Sequence, residues 1–301
     1  MAGDTTIGVD VGGTKILAGI VDREGRFGET VEIPTPLESQ DALLAGLESV
    51  IRRLLPAAPA AIGVGLPCNL QRHTGIAYRA TNLPIDEFDP RAWAAEERFG
   101  VPVAFENDGN AAALAEWRLG AGRGVDNLLM LTLGTGVGGG LVLDGELYRG
   151  WAELGHIVVD FDGPPCQGNC HGRGHLEGVA SGQAADRVAR ELYGPEAEGP
   201  TLVEAARAGE QEAVAALTRM GRFLGAGVGS LINVFDPELV VVGGGFGAAA
   251  GELLLGPARE TAAREAIQPA DQRVRIVPAE LGSEAGLAGA GLVGFAALDG
   301  R

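Results

Sequence analysis

Residues 5–26, TTIGVDVGGTKILAGIVDREGR, decide the fold of this chain. They read as an apolar strand, a glycine turn, a second apolar strand, and a further turn over Asp22 to Gly25. Val, Ile and Leu dominate both arms, as expected of buried strands. The same grammar returns at 127–148, NLLMLTLGTGVGGGLVLDGELY, where an Asp-Gly turn closes the second arm. A duplicated strand–glycine-turn–strand predicts two related lobes facing one another across a cleft. Each turn then has the backbone to hold one part of a nucleotide.

Working outward, 39–55 (SQDALLAGLESVIRRLL) has helical spacing of Leu44, Leu47, Val50, Ile51 and Leu54. AIGVGLP reads as a buried strand, and VPVAFENDGNAAALAEWRLG as a strand running into an Ala-rich helix. Helices are predicted around 177–193, 201–208, 210–234 and 250–265, interleaved with the short strands ELVVVGGG and RVRIVP. SEAGLAGAGLVGFAAL near the C-terminus reads as an Ala/Gly-rich helix. Alternating strands and helices give an α/β class. At 301 residues two lobes are the better expectation than one core, and 194–200 is a loop within the second of them.

Composition narrows the function. A net charge of −17, from 23 basic and 40 acidic residues, argues against nucleic acid, which needs a basic stripe. It leaves nucleotides open, because backbone N–H groups and a metal ion can hold their phosphates. No run approaches a membrane span, and the N-terminal residues lack the basic and apolar pattern of a secretion signal. Three cysteines, two of them clustered, do not make a disulfide framework. A cytoplasmic protein is expected. The only lysine among the 23 basic residues, Lys15, falls inside the first glycine turn.

That turn, Asp10-Val11-Gly12-Gly13-Thr14-Lys15, ends a strand on a carboxylate and exposes consecutive N–H groups suited to a phosphate. Asp10 stands where it could position Mg²⁺, a cation that prefers oxygen ligands. A plain hairpin is the competing reading. The second turn, Gly134-Thr135-Gly136-Val137-Gly138-Gly139-Gly140, can hold further phosphates. It also fits the G-x-G-x-x-G dinucleotide pattern, as does Gly243-Gly244-Gly245-Phe246-Gly247-Ala248. The first of these matches leads into a strand, which counts against a dinucleotide-dependent oxidoreductase; no Walker A loop occurs.

Asn107 or Asp108 could simply cap the Ala-rich helix. A carboxylate at the C-terminal end of a strand, beside phosphate-type turns, could also accept a hydroxyl proton during phosphoryl transfer. Asn82, before a Pro-fixed turn, could hydrogen-bond a polyol, and Glu153 and His156 add further polar groups. Carboxylates and amides without basic residues suit a neutral sugar better than an anion.

In their order and spacing, DVGGTK, ENDGNAAALAE, LGTGVGGGLVLDGELYRGWAELGH and GRGHLE resemble the ROK family of bacterial sugar kinases and repressors. The similarity runs from about residue 5 to EAGLAGAGLVG. It implies the two-lobed actin-like ATPase (ribonuclease-H-like) fold. The small lobe would span 1–118, with the C-terminal helix (about 285–301) packing back on it, and the large lobe 119–284. It implies ATP-dependent phosphorylation of a hexose, above all glucose to glucose 6-phosphate, in a homodimer or homotetramer. Asp108 matches the catalytic base. Asn82, Asn107, Glu153, His156 and Glu177 match sugar-binding positions. Gly12, Gly13, Thr14 and Lys15 match the first phosphate loop, and Gly134, Thr135, Gly136 and Gly138 the second. Gly243, Gly244 and Gly245 match the adenosine-side glycines. Cys68 departs from the family's usual glycine beside the sugar pocket. A kinase for an N-acetylated amino sugar, mannose or fructose is the alternative. A repressor of the same family, or another non-enzymatic sugar-binding regulator, is less expected, because Asp10 lies ten residues from the start with no helix-turn-helix before it.

The resemblance also implies a structural zinc site. Family members carry an upstream histidine and a C-x-C-G-x-x-G-C-x-E segment. Aligned on that segment, CQGNCHGRGHLE (166–177) puts His175 where the last cysteine belongs. The expected ligands are His156, Cys166, Cys170 and His175, with His171 as rival for the fourth position. A metal-free loop is the competing reading, whereas redox chemistry is disfavoured by the C-x₃-C spacing.

Overall fold

β1 (Thr5–Val11) and β2 (Lys15–Asp22) pair antiparallel in register from Thr5↔Asp22 to Val11↔Ile16, and β3 (Phe27–Pro34) pairs antiparallel with β2. This is the hairpin expected of residues 5–26. In the computed structural model of the chain, residues 5–71, 73–78, 80, 83–168 and 170–299 are described. Their contacts divide into two compact units. One comprises Met1–Leu119, Leu147–Ala152 and Glu284–Arg301; the other comprises Gly120–Glu146 and Glu153–Ser283.

In the first unit α1 (Gln40–Leu54) starts at Ser39, whose side chain accepts a hydrogen bond from the Ala42 N–H at 3.1 Å. Its buried stripe is Leu43, Leu47, Val50, Ile51 and Leu54, so Leu43 takes the place expected of the only partly buried Leu44. β4 (Ile62–Leu66) follows, buried at every residue. Three two-residue strands, β5 (Asn69–Leu70), β6 (Ala77–Tyr78) and β7 (Glu87–Phe88), form a small antiparallel sheet that the sequence pattern does not announce. After short helices α2 (Pro90–Trp93) and α3 (Glu96–Phe99) come β8 (Val103–Asn107) and α4 (Asp108–Leu119). The main sheet runs β3-β2-β1-β4-β8, with β4 parallel to both β1 and β8.

The second unit repeats this order. β9 (Leu128–Leu133) and β10 (Val137–Leu143) form the antiparallel hairpin. With β11 (Glu146–Leu147), β12 (Leu239–Gly243) and β13 (Arg275–Pro278), the sheet runs β11-β10-β9-β12-β13. β12 lies parallel to both β9 and β13. Parallel strands require crossover connections, and the helical segments supply them. The helices here are α5 (Leu176–Ala180), α6 (Gly182–Tyr193), α7 (Gly199–Arg207), α8 (Gln211–Phe235), α9 (Gly245–Ala250), α10 (Glu252–Glu265) and α11 (Ala270–Arg273). The single helix expected over 177–193 is therefore two. Ser181 breaks it in an extended conformation, its hydroxyl accepting from the Ala184 N–H that begins α6. Among the described residues no helix is long and apolar enough to cross a membrane.

The C-terminal helix (Ala285–Leu298) closes the first unit by packing on β1, β4 and α4. Glycines make the approach possible. A Cβ on Gly8 would lie 2.5 Å from the Leu287 carbonyl oxygen, and one on Gly289 would lie 1.9 Å from that of Ala111. Buried Thr6 donates its hydroxyl to the Gly291 carbonyl at 2.9 Å, fixing the register of helix on sheet.

Candidate active site and metal cluster

In the first unit β1, β4 and β8 lie parallel and side by side, so their C-terminal ends fall on one edge of the sheet. Asp10 lies near the end of β1, and Asp108 opens α4 directly after β8. Burial, and then the nearby charge of Asp108, push the Asp10 carboxyl up to about 6, against a smaller opposing pull from Lys15. Gly286 at the start of the C-terminal helix abuts this carboxylate: a Cβ there would lie 2.3 Å from Asp10 Oδ2. The turn between β1 and β2 is tied by Gly12 N–H to the Lys15 carbonyl at 2.9 Å. Thr35 holds it from the side, donating its hydroxyl to the Gly12 carbonyl at 2.7 Å and its N–H to that of Thr14 at 3.0 Å. Lys15 itself extends along the sheet surface to an exposed ion pair with Glu32 at 2.7 Å.

Asn107 and Asp108 sit in a dense hydrogen-bond frame. Asn107 Nδ2 donates to the Cys68 carbonyl at 3.2 Å, and its Oδ1 accepts from the Asn110 N–H at 3.1 Å. That second bond is the helix cap expected of this position. Asp108 Oδ1 accepts from the Gly109 N–H at 2.8 Å. Cys68 is buried, and burial together with the Asp108 charge pushes its thiol up to about 12, so it stays neutral. Asn82 lies outside the described residues.

In the second unit the glycine turn between β9 and β10 closes through Gly134 N–H to the Gly136 carbonyl at 3.0 Å. Two N–H groups from the first turn of α6 reach it: Gly182 donates to the Gly134 carbonyl at 2.7 Å, and Gln183 to that of Thr135 at 3.3 Å. The Val137 N–H donates to Glu177 Oε2 at 2.9 Å. A Cβ on Gly136 would meet that same carboxylate oxygen at 2.2 Å, so a larger residue there would have to displace the Glu177 carboxylate. Gly244, at φ +83, lies against the Leu133 backbone, where a Cβ would meet three backbone atoms at 2.4–2.5 Å. The glycines 243–245 thus end β12 and start α9 beside β9, the strand that leads into the second turn.

His156, Cys166, Cys170 and His175 come together with their donor atoms all within 4.8 Å of one another. Tetrahedral zinc with bond lengths of about 2.0–2.3 Å places its donors roughly 3.3–3.8 Å apart, so small side-chain movements close the set. His156 Nδ1 is buried without a hydrogen bond and stands 3.4 Å from Glu153 Oε2. Cys170 Sγ lies 3.5 Å from His175 Nδ1. Two imidazoles and two thiols gathered at one point are a donor set that a divalent metal such as zinc satisfies. His175, at the N-terminus of α5, belongs to this group; His171 is exposed and does not. The segment also carries residues that sequence pattern does not single out. Gln167 Nε2 donates to the Glu177 carbonyl at 3.1 Å and to the hydroxyl of fully buried Ser181 at 2.7 Å. Glu177 Oε1 is 3.9 Å from Cys166 Sγ. The cysteine–histidine segment, Glu177, Ser181 and the second glycine turn therefore form one connected network.

A model of the ROK family matches residues 6–294. The glucokinase of Thermotoga maritima is 38% identical over 94% of this chain and 95% of its own length. Among solved structures, a ROK family glucokinase from Streptomyces griseus in complex with glucose and AMPPNP is 35% identical. It covers 97% of this chain and 99% of its own, with a TM-score of 0.82. The ROK hexokinase from Thermus thermophilus is 36% identical, covering 99% and 100%, with a TM-score of 0.84.

Proposed function

The chain belongs to the ROK family, and from that premise we propose that it transfers the γ-phosphoryl group of ATP to a hexose, glucose first among them. Relatives that are named glucokinase or hexokinase and match nearly the full length of both chains support a hexokinase-type sugar kinase. The observation that carries the mechanism is the place of Asp108. A carboxylate opens a helix at the C-terminal end of a parallel strand, and Asp10 stands close enough for its own acidity to respond.

In the reaction Asp108 accepts the proton of the sugar hydroxyl, whose oxygen bonds to the γ-phosphorus of ATP as the bond to the β-bridging oxygen breaks and ADP leaves. Positioning and charge stabilisation supply most of the rate enhancement in such transfers. Asn107 presents its carboxamide to the sugar from a fixed rotamer, and Asn82, Glu153, His156 and Glu177 are proposed as the further sugar-binding groups. The turn of Gly12, Gly13, Thr14 and Lys15 and the turn of Gly134, Thr135, Gly136 and Gly138 are proposed to hold phosphates, with the Gly12 and Gly134 N–H groups closing the turns themselves, and Gly243, Gly244 and Gly245 the adenosine side. Asp10 is proposed to anchor Mg²⁺, which supplies charge neutralisation on the phosphate oxygens. His156, Cys166, Cys170 and His175 would hold zinc. With four protein ligands that site is closed, so its role is to shape the surrounding residues.

Coupled ADP-release measurements over a hexose panel with ATP and Mg²⁺ test this reading. Glucose is expected to give the highest kcat/KM; a higher value for N-acetylmannosamine, mannose or fructose would reassign the substrate. Asp108→Asn is expected to lower kcat by about 10²–10⁴-fold, the range of a general base, while glucose still binds by calorimetry. Retained turnover in that variant would remove Asp108 from the role of base.

A further inference from the structure

Glu106 precedes the Asn-Asp pair and has no part in the mechanism above, yet it is a buried carboxylate with an organised set of partners. It is 8% exposed. Its Oε1 accepts two hydrogen bonds, from the Asn107 backbone N–H at 2.9 Å and from Asn110 Nδ2 at 2.9 Å. Asn110, itself buried, returns its backbone N–H to Asn107 Oδ1. Glu106, Asn107 and Asn110 thus form a closed ring of three hydrogen bonds around the peptide that carries Asp108. Glu106 Oε2 faces Arg149 Nε at 3.7 Å, an ion pair too long for a hydrogen bond. Arg149 comes from the separate stretch Leu147–Ala152 of the same unit.

Burying a carboxyl group is costly unless hydrogen bonds and nearby positive charge offset the lost hydration. Here both are present, and the donors it engages belong to the turn that carries the proposed base. A helix cap alone needs only Asn107 Oδ1 on the Asn110 N–H. The extra carboxylate restrains two further degrees of freedom, the Asn107 peptide plane and the Asn110 carboxamide. We infer that Glu106 is a positioning residue that fixes the direction of Asp108 and the rotamer of Asn107, acting through its Oε1 acceptor, with Arg149 balancing its charge. The inference rests on the kinase reading for its effect on turnover, and on the hydrogen-bond ring alone for its effect on local order.

The test compares Glu106→Ala, Glu106→Gln and Asn110→Ala by steady-state kinetics and by amide hydrogen exchange over residues 103–112. Glutamine keeps an oxygen acceptor and loses the charge. Glu106→Ala is expected to lower kcat by roughly 10–100-fold, the size of effect that follows small misplacement of a catalytic group, with the KM for ATP within about threefold. Exchange across 103–112 should rise at least about tenfold as the ring opens. Glu106→Gln should recover both to within about threefold of the parent, as a hydrogen-bond role requires. Asn110→Ala removes one donor and should fall between the two, which keeps the test available if Glu106→Ala does not fold. Parent-like kcat and exchange in both alanine variants would overturn the inference. So would a Glu106→Gln variant as impaired as Glu106→Ala, which would assign the effect to charge. If the parent enzyme turned over no sugar, the kinase reading would fall, and the exchange measurements would still decide whether Glu106 orders the turn.

Discussion

Burial and the neighbouring Asp108 charge raise the Asp10 carboxyl from 3.8 to about 6, and the consequence for stability has a definite sign. Between pH of about 4 and 6 the folded chain holds a proton at Asp10 that the unfolded chain has released. Stability therefore falls as pH rises through that window, and the loss is complete above it. Asp10→Asn removes the charge and should raise the unfolding free energy at pH 8 by about 2–3 kcal/mol, since each tenfold change in acidity on folding is worth about 1.4 kcal/mol. The gain should vanish toward pH 4, as urea titrations at the two pH values would measure. Equal stability of parent and variant at pH 8 would contradict a buried, repelled carboxylate. The same proton competes with a cation, so the KM for Mg²⁺ of the parent enzyme should drop as pH rises from 5 to 7. At this scale the sequence named Asp10, Asp108 and Asn107 by residue type and place in the turn. Nothing in it signalled that Glu106, one residue earlier in ENDGN, folds back on its neighbours, because a carboxylate beside an Asn-Asp pair reads as surface charge.

Among the elements, the segment that joins His156 to α5 has little regular strand pairing of its own. Between His156 and α5 the described regular pairing consists of two isolated bridges, Val158↔His175 and Pro165↔Arg173. Backbone hydrogen bonds such as Cys166 N–H to the Gly172 carbonyl at 2.9 Å and Gly174 N–H to the Pro164 carbonyl at 2.8 Å tie the segment, and zinc held by the four side chains that meet there would add a cross-link to them. Purified protein is expected to carry about one zinc per chain, the stoichiometry of a closed four-ligand site. Chelation, or Cys166→Ser with Cys170→Ser, should lower the thermal midpoint and raise the KM for glucose. Because Gln167 and Glu177 lead from this segment to Ser181 and the Val137 N–H, the KM for ATP should rise as well. A metal-free protein with an unchanged melt and unchanged KM values would exclude the brace. The cluster was legible from spacing and family resemblance, including the preference for His175 over His171. The break at Ser181 was not, although its hydroxyl is a local helix cap on the Ala184 N–H, because the apolar pattern runs on through it. Nor were β5, β6 and β7, whose two-residue length shows no periodicity.

Across the whole chain, the duplicated strand–glycine-turn–strand was the most legible feature, because it is written in local pattern; the five-strand order of each sheet was not, because it depends on pairing between strands far apart in the chain. What pattern alone cannot give is which helix fills which face. The C-terminal helix is apolar nearly all round, so its sequence has no polar side to orient it, and it is buried among β1, β4 and α4. Glycines decide its seat. A Cβ on Gly63 would lie 1.8 Å from the Ala290 carbonyl oxygen and 2.5 Å from the Gly294 nitrogen, both backbone atoms that cannot rotate aside. Gly63→Ala therefore has to push the helix off the sheet or shift β4, and a cost above about 3 kcal/mol is expected of such overpacking. Because the helix belongs to the first compact unit, the loss should be confined there. Calorimetry should show a transition that moves to lower temperature, while the part of the melt arising from the second unit stays in place. Hydrogen exchange should report the same division, with protection lost in β1, β4 and α4 and kept in β9, β12 and α8. A uniform loss over both units would mean that they unfold as one cooperative block. A parent-like melt would mean that the helix has room to spare over Gly63.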